Sequence, residues 1–276
     1  PRRALAGAAV APAGCRATSV LASLALLWPW ALARGEEAPA GPRPPGVILQ
    51  VEAAIEKGIR YFAETQRNNG SWNAFSEARS RGNVRSSVYP VAVTGLAGLA
   101  FLAHGDTTSR GPYASVVLKI TDYLLSAAQP SGLFTDGSEP RPMYGHAFAM
   151  TFLAEALGQE PDPQRRDRIR RALRKAIELT KKAQTDYGGW GYTPNYHEDE
   201  GTLTVTQLQG LRACRDAGIL VTKDVIDGGV KFIKDSVNPG GAVRYRVTSS
   251  RVRPGVSCAA VVTLWSAGEY DSPVLK

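Results

Sequence analysis

Two kinds of apolar stretch alternate along this chain. In the first, apolar side chains recur every three or four positions among charged ones, as at Ile48, Val51, Ile55, Ile59 and Phe62. That spacing gives a helix a single apolar stripe and predicts a surface helix. Stretches of this kind cover 47–66, 112–129, 164–184 and 222–236. In the second kind, small and apolar residues fill almost every position, at 88–102, 145–157, 202–213 and 256–267. A helix that is apolar all round is buried between layers. The alternation predicts an all-α double layer with no sheet, amphipathic helices outside and uncharged helices inside. Each hairpin buries its faces only against its neighbours. Gly158, Gly218 and Gly268 stand where helix C-caps belong.

A short motif recurs at the joints. Gln66-Arg-Asn-Asn-Gly70-Ser-Trp72 and Gln184-Thr-Asp-Tyr-Gly188-Gly-Trp190 share the pattern Q-x3-G-x-W. A shortened copy runs from Gln129 through Gly132 to Phe134. A weaker one runs from Ser236 through Gly240, with Tyr245 as its aromatic. The copies begin 52 to 63 residues apart, each after a charged helix and before an uncharged one. Glycine supplies the turn, the aromatic packs into the next hairpin, and the Gln amide meets carbonyls at a helix end. These Gln and Trp residues read as structural.

The pattern over 47–276 resembles the repeat domain of the terpenoid-cyclase and protein-prenyltransferase superfamily, an α/α toroid whose squalene–hopene cyclases carry such Gln/Trp loops. The resemblance implies an all-α toroid of outer and inner helix hairpins. It also implies about six hairpins in a closed ring, against four here, so a partial ring cut short after Lys276 is expected.

Squalene–hopene cyclases protonate an alkene with a D-x-D-D-T segment. The nearest match is His197-Glu198-Asp199-Glu200-Gly201-Thr202. If the protein is a cyclase, Asp199 is the acid, Glu198 and Glu200 raise its pKa, and His197 or His146 orients it. Equally, the three acids form the first turn of the Thr202 helix, where negative charge meets the helix dipole. His146, in Tyr144-Gly145-His146 at the start of an inner helix, reads as a proton carrier, a polar anchor or a hydrogen-bonded structural residue. Trp190, Tyr192, Tyr144 and Phe148 are the candidate substrate contacts, through negative ring faces able to stabilise a carbocation.

Prenyltransferases bind zinc through Asp-x-Cys in this stretch and a later His. Here Gly201 replaces that cysteine and no His follows His197, so no metal and no cofactor are expected. The thioester motif of complement-like proteins is absent from the surroundings of Cys15, Cys214 and Cys258. No P-loop, dinucleotide, H-E-x-x-H or G-x-S-x-G motif occurs. The expected function is binding of an isoprenoid or other lipid in an apolar central cavity walled by Tyr89, Phe101, Phe148, Phe152 and 202–213. The alternatives are a terpenoid cyclase using Asp199 and a structural protein-binding module.

Composition changes the picture at two places. Hydrophobic residues are 43% and charged residues 21%, as in globular chains, and three cysteines make no disulfide framework. Arg2 and Arg3 precede an uncharged run at 20–33 that ends in Ala31-Leu32-Ala33. This reads as a signal peptide over 1–33, followed by a Pro-rich linker over 34–46. It implies export to the periplasm or beyond; an uncleaved segment would anchor the protein to the membrane. Cleavage lowers the net charge from +8 to +5. The second place is 164–182, with nine basic and two acidic residues. It reads either as a peripheral contact with anionic lipid or as an ordinary charged outer face. No nucleic-acid motif accompanies it.

Overall fold

Among the described residues five helices begin on a proline, at Pro45, Pro90, Pro142, Pro163 and Pro254. A first-turn N–H has no helical acceptor, and proline's fixed φ already suits the helix. The computed structural model describes residues 45–73, 75–80 and 83–272. The expected signal peptide and residues 34–44 of the expected linker lie outside them, while Pro45 and Gly46 already belong to the first helix. In chain order the elements are α1 (Pro45–Thr65), β1 (Phe75–Ser80), β2 (Asn83–Val88), α2 (Pro90–His104), α3 (Ala114–Ser126), α4 (Pro142–Leu157), α5 (Pro163–Lys182), α6 (Gly201–Asp216), α7 (Lys223–Asp235) and α8 (Pro254–Ser266).

The even-numbered helices from α2 to α8 form the inner row: α4 packs between α2 and α6, and α6 packs on α8. The odd-numbered helices lie outside, with α3 against α2, α5 against α4 and α7 against α6. This is the all-α arrangement of outer and inner helices that the alternation predicts. The β1–β2 hairpin, paired from Phe75↔Val88 to Ser80↔Asn83, is an addition. Its strands are mostly polar, so no apolar alternation announces it. Phe101, Phe134, Phe152, Trp190 and Phe232 are fully buried. Trp72 stacks on Phe101 with ring centroids 6.3 Å apart. Along α1, Ile59 is buried, whereas Val51 and Ile55 are exposed. The inner helices approach closely because small residues line their contacts. A Cβ on Gly95 would lie 2.9 Å from the Phe148 carbonyl carbon.

The turns after the outer helices repeat in three dimensions. Gly70 N–H donates to Arg67 O at 2.9 Å, Gly132 N–H to Gln129 O at 2.9 Å, Gly188 N–H to Thr185 O at 2.8 Å and Gly241 N–H to Asn238 O at 2.9 Å. The four glycines have φ of 89°, 96°, 90° and 80°. This superposition corrects the sequence register. Gln129 sits one place later than Gln66 and Gln184, and Ala128 and Val237 take the glutamine position. In the fourth turn Gly241 and Val243 replace the expected Gly240 and Tyr245. A Cβ on Gly70 would lie 2.3 Å from Lys119 O of the next outer helix, and one on Gly188 2.2 Å from Gly228 O. The Gln66 amide donates to Gly70 O (3.0 Å) and Val116 O (3.2 Å). That of Gln184 donates to Gly188 O (2.8 Å) and Val225 O (2.9 Å). Each glutamine thus ties its turn to the following outer helix. Gly105, Gly218 and Gly268 adopt the left-handed conformation just after their helices, but Gly158 closes α4 with φ −67°.

These contacts separate two costs of adding a methyl group. Gly218→Ala meets open space and only backbone strain, about 1–2 kcal/mol. Gly188→Ala adds a collision with a helix carbonyl and should cost more than about 3 kcal/mol. Urea unfolding of the two variants checks the order.

Candidate functional site

Outer and inner helices alternate in direction, so the inner helices all start at the same end. Their first N–H groups need acceptors, and the loop before the next inner helix provides them. Glu139 Oε1 accepts from Val91 N (2.9 Å) and Ala92 N (3.2 Å) at the start of α2. The Tyr192 carbonyl accepts from Met143 N (3.3 Å) on α4, and the Tyr245 carbonyl from Gly201 N (2.8 Å) on α6. These loops bring Tyr144, Tyr192, Tyr196 and Tyr245 together at the mouth. The Tyr144 and Tyr192 rings are 6.3 Å apart, and those of Tyr192 and Tyr196 5.7 Å. The Tyr192 and Tyr245 hydroxyls hydrogen-bond. Arg141 lies over the Tyr192 ring at 4.2 Å and Arg253 over the Tyr245 ring at 4.9 Å.

The three adjacent acids part company. Glu200 is the N-cap of α6, accepting from Thr202 N (2.8 Å), Leu203 N (3.1 Å) and the Tyr144 hydroxyl (2.7 Å). Glu198 is exposed and pairs with Arg246 at 2.5 Å. Asp199 is buried and takes the Thr185 hydroxyl. Burial pushes its pKa up, against its bonds to Thr185 and the backbone and the charge of Arg246. The expected mutual elevation by Glu198 and Glu200 is therefore not the arrangement present, since each of those acids serves another partner. Asp199 faces Thr185 and Gly189 of the turn.

His146 is fully buried. Its Nδ1 accepts from Phe134 N (3.2 Å), which leaves Nε2 protonated and donating to Thr180 Oγ1 (2.9 Å). Burial lowers its pKa to about 3. Thr94, Thr204 and Ser257 do the same work in the other repeats, accepting from Trp72 N, Trp190 N and Val243 N. His146 is one of four equivalent acceptors that hold a turn to an inner helix. Trp190 is also fully buried between the layers, its indole N–H donating to Thr180 O at 2.7 Å. Phe101 and Phe152 have no exposed surface either, so neither of these expected wall residues, nor Trp190 as an expected substrate contact, presents surface to a central cavity.

What faces the concave side is read from burial. On α4 only Tyr144, Phe148, Thr151 and Glu155 escape full burial, a single stripe. On α6 the matching stripe is Thr202, Thr206, Gln209 and Arg212. On α2 it includes Leu96, 47% exposed, and the half-buried Leu99. The face therefore grades from apolar on α2, through Phe148, to polar on α6. Glu139, Arg141 and Arg253 escaped the sequence reading, which took Tyr245 only as a turn aromatic; aligning the loops before successive inner helices is the signal that finds them.

The chain matches the ent-copalyl diphosphate synthase of Streptomyces platensis at 18% identity with a TM-score of 0.50, over 75% of this chain and 37% of that one. It thus spans little more than a third of the synthase. A mutant Family 10 polysaccharide lyase from Cellvibrio cellulosa matches at 16% identity with a TM-score of 0.45, over 73% of this chain and 79% of that one. The first likeness shows the fold alone, an α-helical array like the part of the synthase that it matches. No family model and no curated protein matches the chain.

Two buried groups give opposite pH signatures. The folded pKa of His146, about 3, lies below the ordinary 6.5. Its contribution is full above pH 6.5 and lost as pH falls from 6.5 toward 3. Burial raises the Glu139 pKa from 4.5 to about 7 despite its backbone bonds. Its contribution is full below pH 4.5 and lost as pH rises through 7. Glu139→Gln, which keeps the acceptor, should therefore be more stable than the parent at pH 8 and similar at pH 4. His146→Gln should flatten the acid slope. Urea midpoints across pH 4–8 check both.

Proposed function

We propose that the protein is a binding protein that holds an isoprenoid or other lipid along its concave face and does no chemistry on it. The observation that carries this reading is the graded stripe: Leu96 and Phe148 offer apolar surface, and Thr206 and Gln209 offer polar groups beside it. Such a face suits an elongated amphiphile. Hydrophobic contact supplies most of the affinity and a few polar groups fix orientation. Residues 1–33 would direct the protein out of the cytoplasm. Among the described residues no helix is long and apolar enough to cross a membrane.

Against cyclisation stands the fate of the acids. Protonating an alkene needs a carboxylic acid aimed at the substrate in a dry pocket. Asp199 is turned to Thr185, Glu200 caps a helix and Glu198 pairs with Arg246.

Phe148 is half-buried on a helix face with no outer neighbour, so Phe148→Arg should fold while placing a charge where the chain of the lipid lies. Native mass spectrometry after incubation with squalene or a polyprenol should show retained lipid for the parent and Phe148→Leu, and at least a tenfold loss for Phe148→Arg. Asp199→Asn should retain lipid like the parent, with no cyclised product from either. No retention by the parent would favour a protein-binding module. Cyclised squalene from the parent but not from Asp199→Asn would favour the cyclase.

A further inference from the structure

The outer surface carries a second feature of definite chemistry, away from the concave face. Helix α5 holds nine cations and two acids, and ion pairs consume the cations unevenly. Arg165 pairs with Glu160 (3.1 Å), Asp162 (3.6 Å) and Asp122 (3.6 Å) at one end, and Lys181 pairs with Asp224 (3.0 Å) at the other. Arg170 pairs with Asp167. Between them Arg168, Arg171, Arg174 and Lys175 are exposed and have no ion-pair partner among the described residues, and of these Arg168, Arg171 and Lys175 share one groove. Their spacing of three and four positions sets them in a row about 10 Å long on one side of the helix.

That row is one wall of an open groove of about 330 Å³. The facing wall comes from the end of α3 and the turn after it, with Leu125, Ala128 and Pro130. Among the described residues no carboxylate lines the groove. A row of unneutralised cations beside an apolar ledge complements an amphiphile whose charge is negative. Phosphate oxygens meet the guanidinium and ammonium groups, and the neighbouring glycerol and first methylenes meet Ala128 and Pro130. Single-stranded nucleic acid suits it less, because the groove offers no aromatic ring for base stacking.

We propose that this groove binds the phosphate headgroup of an anionic phospholipid at a bilayer surface, and so docks the outer face of the array on a membrane. The site needs no lipid on the concave face and stands or falls separately from that reading.

The test is co-sedimentation of the full chain with phosphatidylglycerol vesicles and, in parallel, phosphatidylcholine vesicles. The protein should bind the first and not the second, and high salt should weaken binding. Each cation near an anionic surface adds roughly a factor of five to binding. The triple variant Arg168→Gln/Arg171→Gln/Lys175→Gln should therefore partition about a hundredfold more weakly. A control triple, Arg60→Gln/Lys223→Gln/Lys231→Gln, removes the same charge elsewhere and should lose far less. Equal losses in the two triples, equal binding to the two vesicles, or no binding to either overturns the proposal. Two further outcomes do so as well. Saturable binding of inorganic phosphate without vesicle binding reassigns the groove to a free anion, and preference for a single-stranded oligonucleotide over the vesicles reassigns it to nucleic acid.

Discussion

After each of three outer helices, a glycine in the left-handed conformation lies against a carbonyl of the next outer helix: Gly70 on Lys119, Gly132 on Lys175 and Gly188 on Gly228. No side chain fits between them. The contact fixes how far one outer helix stands from the next, and two of the three turns add a glutamine amide that bonds both the turn and the following helix. Behind the glycine, Trp72, Phe134 or Trp190 fills the space between the layers. Its backbone N–H is held by a polar side chain of the inner helix, Thr94, His146 or Thr204. Outer spacing, inner register and the packed aromatic layer all follow from one turn repeated.

The same geometry decides what the mouth of the array can do. Inner helices that start at one end present several sets of unpaired N–H groups there, and burial makes each a liability. The loops answer with Glu139, with the carbonyls of Tyr192 and Tyr245, and with Glu200. Of the acidic side chains that in sequence resemble a proton-donating cluster, Glu200 is bound into capping, Glu198 into an ion pair and Asp199 into a hydrogen bond with Thr185. What remains at the mouth is a set of tyrosines bracketed by Arg141 and Arg253.

The two faces of the array then differ in chemistry. The concave face is nearly free of charge until Glu155 and Arg212, and it grades from leucine to threonine and glutamine across three helices. The outer face collects the charge, most densely on α5, where Arg165, Arg170 and Lys181 are paired and Arg168, Arg171 and Lys175 are not.

Sequence by itself determined the helices. The Ile169, Leu173, Ile177 spacing makes α5 an outer helix wherever it packs, and the uncharged run at 145–157 has no stable place except an inner layer, because burial follows from periodicity and transfer free energy alone. The glycine-plus-aromatic turn was legible for the same reason, since a left-handed φ all but requires glycine. Tertiary structure decided everything that depends on which groups meet. Glu198, Asp199 and Glu200 are neighbours in the chain, yet their side chains enter three separate environments set by Arg246, Thr185 and the α6 N-terminus. His146 looked like a lone chemical group until its place beside Thr94, Thr204 and Ser257 showed it to be an acceptor for a turn. Arg168, Arg171 and Lys175 were visible as charge, but only the approach of Leu125 and Pro130 from another helix makes them a groove. Periodicity fixes which face of a segment is buried; partners from distant segments fix what a polar side chain is for.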